Sequence, residues 1–349
     1  MKKTIAVLFG GCSTEYSVSL QSAHAVLSAI DQSRYQVLPV GITRAGDWFL
    51  YEGPLDRIPE DQWQASDCVP AALSPSRSIH GLLVFRPAGL ETLPLDGAFP
   101  VLHGKNGEDG TVQGLLELAG VPVVGCGVLS SALCMDKVRA HQLAEAAGVK
   151  VPPCVVLDRP EELEERREEV KRLGLPLFIK PVRSGSSYGI TKASVWSQVP
   201  EAVAEAFRHD NRVILEAAVP GFEVGCAVMG TRRLTTGAVD EIELSSGFFN
   251  FEEKYTLKTS QIHMPARIPA EKAAEIKDAA ARVYRALDCA GFARVDLFLT
   301  PEGEIVFNEV NTIPGFTSHS RFPNMMKGIG LDFPTLIDRL LEDAFSSFS

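Results

Sequence analysis

Two carboxylates and an amide stand where a pair of adjacent strands would bring them together. Arg294-Val295-Asp296-Leu297-Phe298-Leu299 and Ile305-Val306-Phe307-Asn308-Glu309-Val310-Asn311 are apolar, β-rich runs around Pro301-Glu302-Gly303, the composition of a hairpin. Side chains alternate faces along a strand, so Arg294 and Asp296 share one face, as do Glu309 and Asn311. With residues 301–304 as the connection, Thr300 falls opposite Ile305, Asp296 opposite Glu309, and Arg294 opposite Asn311. Opposed carboxylates repel. They become useful if a divalent cation sits between them and Asn311 adds a third oxygen. Oxygen-only ligation without His or Cys suits Mg²⁺ or Mn²⁺ rather than zinc. The alternative is a surface acid pair neutralised by Arg294, and a one-residue slip would send the acids to opposite faces.

Other groups are ambiguous singly. Ser184-Gly185-Ser186-Ser187-Tyr188-Gly189 follows a predicted strand containing Lys180. Small residues let backbone N–H groups approach an anion, although a plain Ser/Gly turn has the same composition. Neither the P-loop pattern nor Gly-x-Gly-x-x-Gly is present. Lys137, in Cys134-Met135-Asp136-Lys137, is either a phosphate-directed cation or an ordinary helix lysine. Lys254 and Tyr255 lie in a polar, aromatic stretch over 245–260, read as a loop of functional length. His103, in His103-Gly104-Lys105-Asn106-Gly107-Glu108-Asp109-Gly110, is a site residue or a turn cap. Glu15 is a site acid or a helix cap.

The elements that must position these groups read as α/β. An apolar run over 4–9, then Gly10-Gly11, then a helix over 17–30 make a strand–turn–helix opening. Strands are predicted over 37–42, 97–102, 176–181, 213–216, 223–229, 292–300 and 304–311. Helices are predicted over 111–119, 135–148, 270–287 and 333–345, with a solvated helix over 161–173 and irregular chain over 45–94. Pro152-Pro153 interrupts the helical pattern before it and places one domain boundary nearby, and Pro220-Gly221 places a second, a division that suits 349 residues. The net charge of −10 argues against nucleic acid. No apolar run is long enough for a membrane span, and 4–9 is too short for a signal peptide. Seven scattered cysteines without a Cys-x-x-Cys pair argue against a disulfide framework or zinc site and make the cytoplasm the natural compartment.

In this order the pieces closely resemble the D-alanine–D-alanine ligase family of the ATP-grasp superfamily. The matching stretches are Phe9-Gly10-Gly11 with Glu15, residues 102–110, Cys134-Met135-Asp136-Lys137, Lys180-Pro181 with Gly185-Ser186-Ser187, and Glu253-Lys254-Tyr255. They continue through Arg294-Val295-Asp296 and Asn308-Glu309-Val310-Asn311-Thr312-Ile313-Pro314-Gly315-Phe316-Thr317-Ser318-His319-Ser320-Arg321. The similarity spans nearly the whole chain. It implies an N-terminal parallel-sheet domain, a small central α+β domain and a larger C-terminal antiparallel-sheet domain, with ATP between the last two.

The resemblance also implies roles. The carboxylate of a first D-alanine attacks the γ-phosphate of ATP, and the amine of the second substrate then attacks the acyl phosphate. Lys137, Lys180, Ser186, Ser187, Glu216, Glu223, Lys254 and Asn308 would hold ATP, with Glu216 by the adenine and Glu223 by the ribose. Asp296, Glu309 and Asn311 would hold Mg²⁺ or Mn²⁺, as two ions. Arg294 and the Gly315 N–H would be oxyanion donors. Glu15, linked to Ser186 and Tyr255, would hold the first ammonium, Ser320 would bind the second substrate's carboxylate with Arg321 beside it, and His103 would be a substrate contact. The 245–260 loop would close over the site, and the enzyme would be a homodimer.

Tyr255 matches relatives that use an amino acid as nucleophile. Arg321 stands where D-alanine–D-alanine ligases commonly have Leu, and a cationic residue there favours a hydroxymethyl group. The chain looks most like the vancomycin-resistance D-alanine–D-serine ligases of the G type, whose product is a modified peptidoglycan precursor. A housekeeping D-alanine–D-alanine ligase is the near rival, and a catalytically silent nucleotide-binding regulator on the same fold the remote one.

Overall fold

The computed structural model describes residues 2–185, 189–244 and 260–347. Its first sheet is built from β1 (Lys3–Gly10), β2 (Tyr35–Ile42), β3 (Trp48–Tyr51), β4 (Cys68–Leu73), β5 (Gly81–Arg86), β6 (Gly89–Pro94) and β7 (Gly97–Pro100), in the order β6-β5-β4-β3-β2-β1-β7. β1 is parallel to β2 and β7 and is buried over most of its length, which explains its unbroken apolar run. Gly10 then turns the chain toward α1 (Tyr16–Ala29). Its φ is +87°, and a Cβ would lie 2.1 Å from the Ile42 carbonyl oxygen.

The segment expected to be irregular over 45–94 instead contributes the antiparallel strands β3–β6. They are short, two of them contain proline, and β6 is a largely exposed edge, so no periodicity marks them in sequence. α2 (Thr111–Ala119) lies where predicted. The helix expected over 135–148 is α4 (Lys137–Ala146), and a helix not expected from the sequence, α3 (Val128–Met135), precedes it. The break between them is Asp136, whose extended backbone and side chain cap α4 by accepting from the Arg139 N–H at 3.0 Å.

The second sheet comprises β8 (Cys154–Leu157), β9 (Leu177–Pro181), β10 (Thr191–Ala193) and β11 (Val213–Ala217), in the order β10-β9-β11-β8. The charged run over 161–173 forms two short helices, α5 (Glu162–Glu165) and α6 (Arg167–Arg172), and α7 (Val199–Ala206) packs on the same core.

The third sheet has the order β14-β13-β12-β15-β16, from β12 (Phe222–Met229), β13 (Thr235–Leu244), β14 (Ser260–His263), β15 (Phe292–Leu299) and β16 (Ile305–Asn311). α8 (Ala270–Ala286) covers one face, against Val224, Cys226, Val228, Val295 and Leu297. The other face turns Ala227 and Met229 toward α9 (Arg321–Lys327) and α10 (Phe333–Ser347), in a core shared with β1. Phe99, Phe292, Phe316 and Phe322 form its aromatic centre, with Phe316 5.1 Å from Phe292 and 5.7 Å from Phe99 between ring centroids.

The β15–β16 hairpin departs from its expected register in an instructive way. Leu299, not Thr300, faces Ile305, so a regular ladder would set Asp296 opposite Asn308. A β-bulge at Asn308 shifts the ladder by one residue and restores the pairs Asp296–Glu309 and Arg294–Asn311. The bulge also reverses the alternation along β16. Phe307 and Val310 both join the α8 core, which leaves Glu309 and Asn311 on the opposite face with Asp296.

Candidate active site

A row of paired residues crosses the third sheet: Asp240 on β13, Gly225 on β12, Asp296 on β15 and Glu309 on β16. Gly225 is the gap in this row. A Cβ there would lie 2.3 Å from Arg321 Nη2 and 2.8 Å from Asp240 Oδ1. The Arg321 guanidinium fills that gap, donating to Asp240 through Nε (2.7 Å) and Nη2 (2.8 Å) and to Glu223 through Nη1 (2.9 Å). Its Nη1 is also 3.2 Å from Asp296 Oδ1. Arg294 donates to Asp296 through Nε at 2.8 Å and Nη2 at 2.7 Å, and Asn311 Nδ2 adds a bond of 2.8 Å. Burial pushes both guanidinium pKa values down, but the carboxylates around them more than offset it and hold them above their ordinary value.

Asp296, only 1 % exposed, therefore has its oxygens engaged by two arginines and an amide. The expected convergence is met in part. Glu309 and Asn311 line one cradle with Lys137, Glu15, Glu108, Gly185 and Thr312. Asn311 spends its N–H on Asp296, so its carbonyl oxygen is the atom left to offer a cation. Among the described residues no three His, Cys, Asp or Glu side chains gather as a metal cluster. A cation here would rest on two acids and an amide, a hard-oxygen set that fits Mg²⁺ or Mn²⁺. It would compete with guanidinium for Asp296.

The second sheet contributes cations. Lys180 Nζ reaches Glu216 Oε2 at 2.5 Å across β9 and β11, both side chains being buried. Burial raises the Glu216 pKa, but Lys180, His141 and Lys137 outweigh it and leave the carboxyl below its usual range. Lys137 opens α4, and its Nζ donates to the Ser184 carbonyl at 2.6 Å, beside the glycine loop. Asn308 is the bulge residue. Glu223, expected near a ribose, is engaged by Arg321. Ser186, Ser187, Lys254 and Tyr255 lie outside the described residues.

The 103–110 stretch clamps the loop after β16. His103 Nδ1 lies 2.7 Å from the Ile313 carbonyl, which can only accept, so Nδ1 carries the hydrogen. Nε2 then accepts from Ser22 Oγ at 3.0 Å, and Ser22 Oγ accepts from the Phe316 N–H at 3.1 Å. Burial lowers the His103 pKa, which keeps the ring neutral as this chain of donors requires. Expected to face a substrate, His103 instead spends both nitrogens on scaffold. Glu108 accepts from the Ile313 N–H at 2.8 Å and the Gly104 N–H at 2.9 Å. Packed protein and neighbouring Glu15 push its carboxyl up to about 8 despite these two bonds.

Ile313 is thus held through both its N–H and its C=O, two residues before Gly315. Ser320 Oγ accepts from the Thr317 N–H at 3.0 Å and closes the turn over Gly315, where a Cβ would lie 2.8 Å from Ser320 Oγ. Glu15, 7 % exposed, sits at the N-cap of α1 without capping it by its side chain. Its Oε2 lies 2.5 Å from where a Gly104 Cβ would stand. Sequence reasoning missed Glu108, Ser22, Asp240 and His141. Glu108 lies inside a singled-out motif, whereas Asp240 and His141 gave no local signal.

No helix among the described residues is long and apolar enough to cross a membrane. Two family models match the chain: D-ala D-ala ligase N-terminus over residues 4–126 and D-ala D-ala ligase C-terminus over residues 143–342. A putative D-alanine–D-lactate ligase of Streptomyces coelicolor is 45% identical over 98% of this chain and 97% of its own. A D-alanine–D-alanine ligase of Caldicellulosiruptor bescii is 42% identical over 97% of this chain and 94% of its own. The crystal structure of the VanG D-Ala:D-Ser ligase from Enterococcus faecalis superposes with a TM-score of 0.92 at 55% identity, covering 99% of this chain and all of that one.

Proposed function

This chain belongs to the D-alanine–D-alanine ligase family of ATP-dependent ligases, and on that premise we propose that it joins D-alanine to D-serine. The observation that carries the choice of second substrate is Arg321. It follows Ser320 and brings Asp240 and Glu223 into a polar layer where an aliphatic side chain would give a greasy one. A pocket that hydrogen-bonds a hydroxyl rejects the analogue lacking it more strongly than an apolar pocket rejects an added hydroxyl. The likeness to a D-Ala:D-Ser ligase at 55% identity supports the same choice.

We read the three sheets as the domains 1–136, 137–219 and 220–349, with ATP between the last two. Phosphoryl transfer depends chiefly on positioning and charge neutralisation. The carboxylate of D-alanine attacks the γ-phosphorus, the bond to ADP breaks, and an acyl phosphate forms. The free amine of the second substrate attacks that carbonyl carbon, and phosphate leaves. Glu15 holds the first ammonium, Lys137 and Lys180 supply positive charge to the phosphates, and Ser320 holds the second carboxylate. Arg294 and the Gly315 N–H stabilise the oxyanion, a role in which losing one donor costs about 3–4 kcal/mol. Mg²⁺ or Mn²⁺ on Asp296, Glu309 and Asn311 would neutralise phosphate charge. Ser186, Ser187, Lys254 and Tyr255 keep the roles their motifs imply.

Phosphate release and product identification with D-alanine alone, then with D-alanine plus D-serine, test this reading. D-Ala–D-Ser should dominate the mixture; D-Ala–D-Ala as sole product would return the enzyme to the housekeeping reaction. Glu309→Ala should abolish turnover while leaving thermal unfolding unchanged. Near-normal turnover would remove Glu309 from the cation site.

A further inference from the structure

The opposition of Asp296 and Glu309 depends on the bulge at Asn308. Were Asn308 drawn into the ladder, it would face Asp296, and Glu309 would turn toward the apolar side under α8. β16 is an edge strand, and it is met by α3, α4 and the chain just after α4. The Phe307 N–H donates to the Lys150 carbonyl at 2.7 Å. One residue on, His141 Nε2 lies 3.2 Å from the Asn308 carbonyl oxygen. A carbonyl only accepts, so Nε2 carries the hydrogen and donates it.

The His141 ring also stands edge-on to Phe307, 5.7 Å between centroids at 77°. It is 4 % exposed, and burial holds its pKa below the ordinary value, so the donor is a neutral imidazole. The same Nε2 lies 3.9 Å from Glu216 Oε1, the carboxylate whose other oxygen carries Lys180. Nothing in the mechanism above uses His141, yet it touches both the bulge and the lysine–glutamate pair of the second sheet.

We propose that His141 is a positioning residue for the cation centre: its N–H pins the Asn308 carbonyl, fixes the bulge, and so keeps Glu309 opposite Asp296. The inference rests on reading Asp296, Glu309 and Asn311 as the cation ligands. His141 tethers that register to the Lys180–Glu216 pair, so the cation ligands and the nucleotide-side lysine share one support.

The test is Mn²⁺ binding by the full chain in the presence of ADP, followed by electron paramagnetic resonance, with the KM for D-alanine measured in parallel. His141→Phe keeps a ring but loses the donor. It should weaken Mn²⁺ binding about 10- to 100-fold, the range for lost support of a metal ligand, with the D-alanine KM unmoved. His141→Gln, whose amide nitrogen reaches the Nε2 position, should restore most of the affinity. His141→Asn, whose amide reaches only the Nδ1 position, should not. Should His141→Phe fail to fold, the Gln and Asn variants decide by themselves. Unchanged Mn²⁺ binding in folded His141→Phe, or equal affinities for the Gln and Asn variants, overturns the inference. Glu309→Gln separates the two readings. If it also leaves Mn²⁺ binding unchanged, the cation assignment has failed; if it alone weakens binding, only the role of His141 is lost.

Discussion

Glu108 lines the cradle and Asp296 sits behind it through Asn311, yet the protein meets the cost of withdrawing each carboxyl from water in a different way. Around Asp296 stand two guanidiniums and an amide, and the Arg321 charge is shared with Asp240 and Glu223. Around Glu108 the close partners are two backbone N–H groups, with Glu15 as a like charge nearby. A charge withdrawn from water must be paired or neutralised by a proton. Counter-ions do this for Asp296, and a raised pKa does it for Glu108. The lesson concerns function: a compensated acid can exchange guanidinium for a metal cation, whereas a protonated acid serves as a neutral clamp.

Removing the counter-ion from the first cluster should have the largest effect. Arg321→Leu strands Asp240 and Glu223 together while Arg294 and Asn311 still hold Asp296, and breaking such a buried pair costs about 3–5 kcal/mol. Denaturant unfolding should show that loss, accompanied by a shift of product toward D-Ala–D-Ala. Arg321→Lys keeps the charge but not the planar fork and should fall between. Stability unchanged in Arg321→Leu would mean that the acids are not held by this residue.

A pH series sharpens the second half of the comparison. The Glu108 carboxyl binds its proton more tightly in the folded state, at about 8 against an ordinary 4.5. Its contribution is therefore fully present below pH 4.5 and is lost as pH rises through about 8. Glu108→Gln should flatten stability across that window while costing about 1 kcal/mol for the acceptor its NH₂ replaces. A slope identical to that of the parent chain would show that another group sets it.

The smallest effect belongs to charges that stay in water. Arg159 pairs with Glu165 at 2.8 Å on the surface of the second sheet's helices, with both side chains more than half exposed. Glu165→Ala should leave the unfolding midpoint within error. A clear drop would mean that exposure is a poor guide to which ion pairs matter here.

Much of the fold is legible in the residue order. β1, α1, α8 and the β15–β16 pair announce themselves by apolar runs or helical spacing. β13 does not, because it mixes Gly237, Asp240, Glu241 and Glu243 into a strand whose acids are answered by distant arginines, Arg321 and Arg267. α9 is hidden by Pro323 in its first turn, and β8, β10 and α7 by their shortness. The hairpin is the subtler case. The expected pairing of Asp296 with Glu309 stands, but the expected loop does not, and a bulge makes up the difference.

The sequence by itself determined the donor types, an oxygen-only set with lysines nearby, and the motifs that mark the family, because these depend on residue identity and local spacing. Tertiary structure decided which way Glu309 faces, which acid carries a proton, and what neutralises Asp296. Those outcomes turn on partners far along the chain: His141 lies 167 positions from Asn308, and Arg321 lies 81 from Asp240. Strand alternation and helix periodicity act over a few residues, whereas burial and charge compensation are set by whatever the finished fold brings alongside.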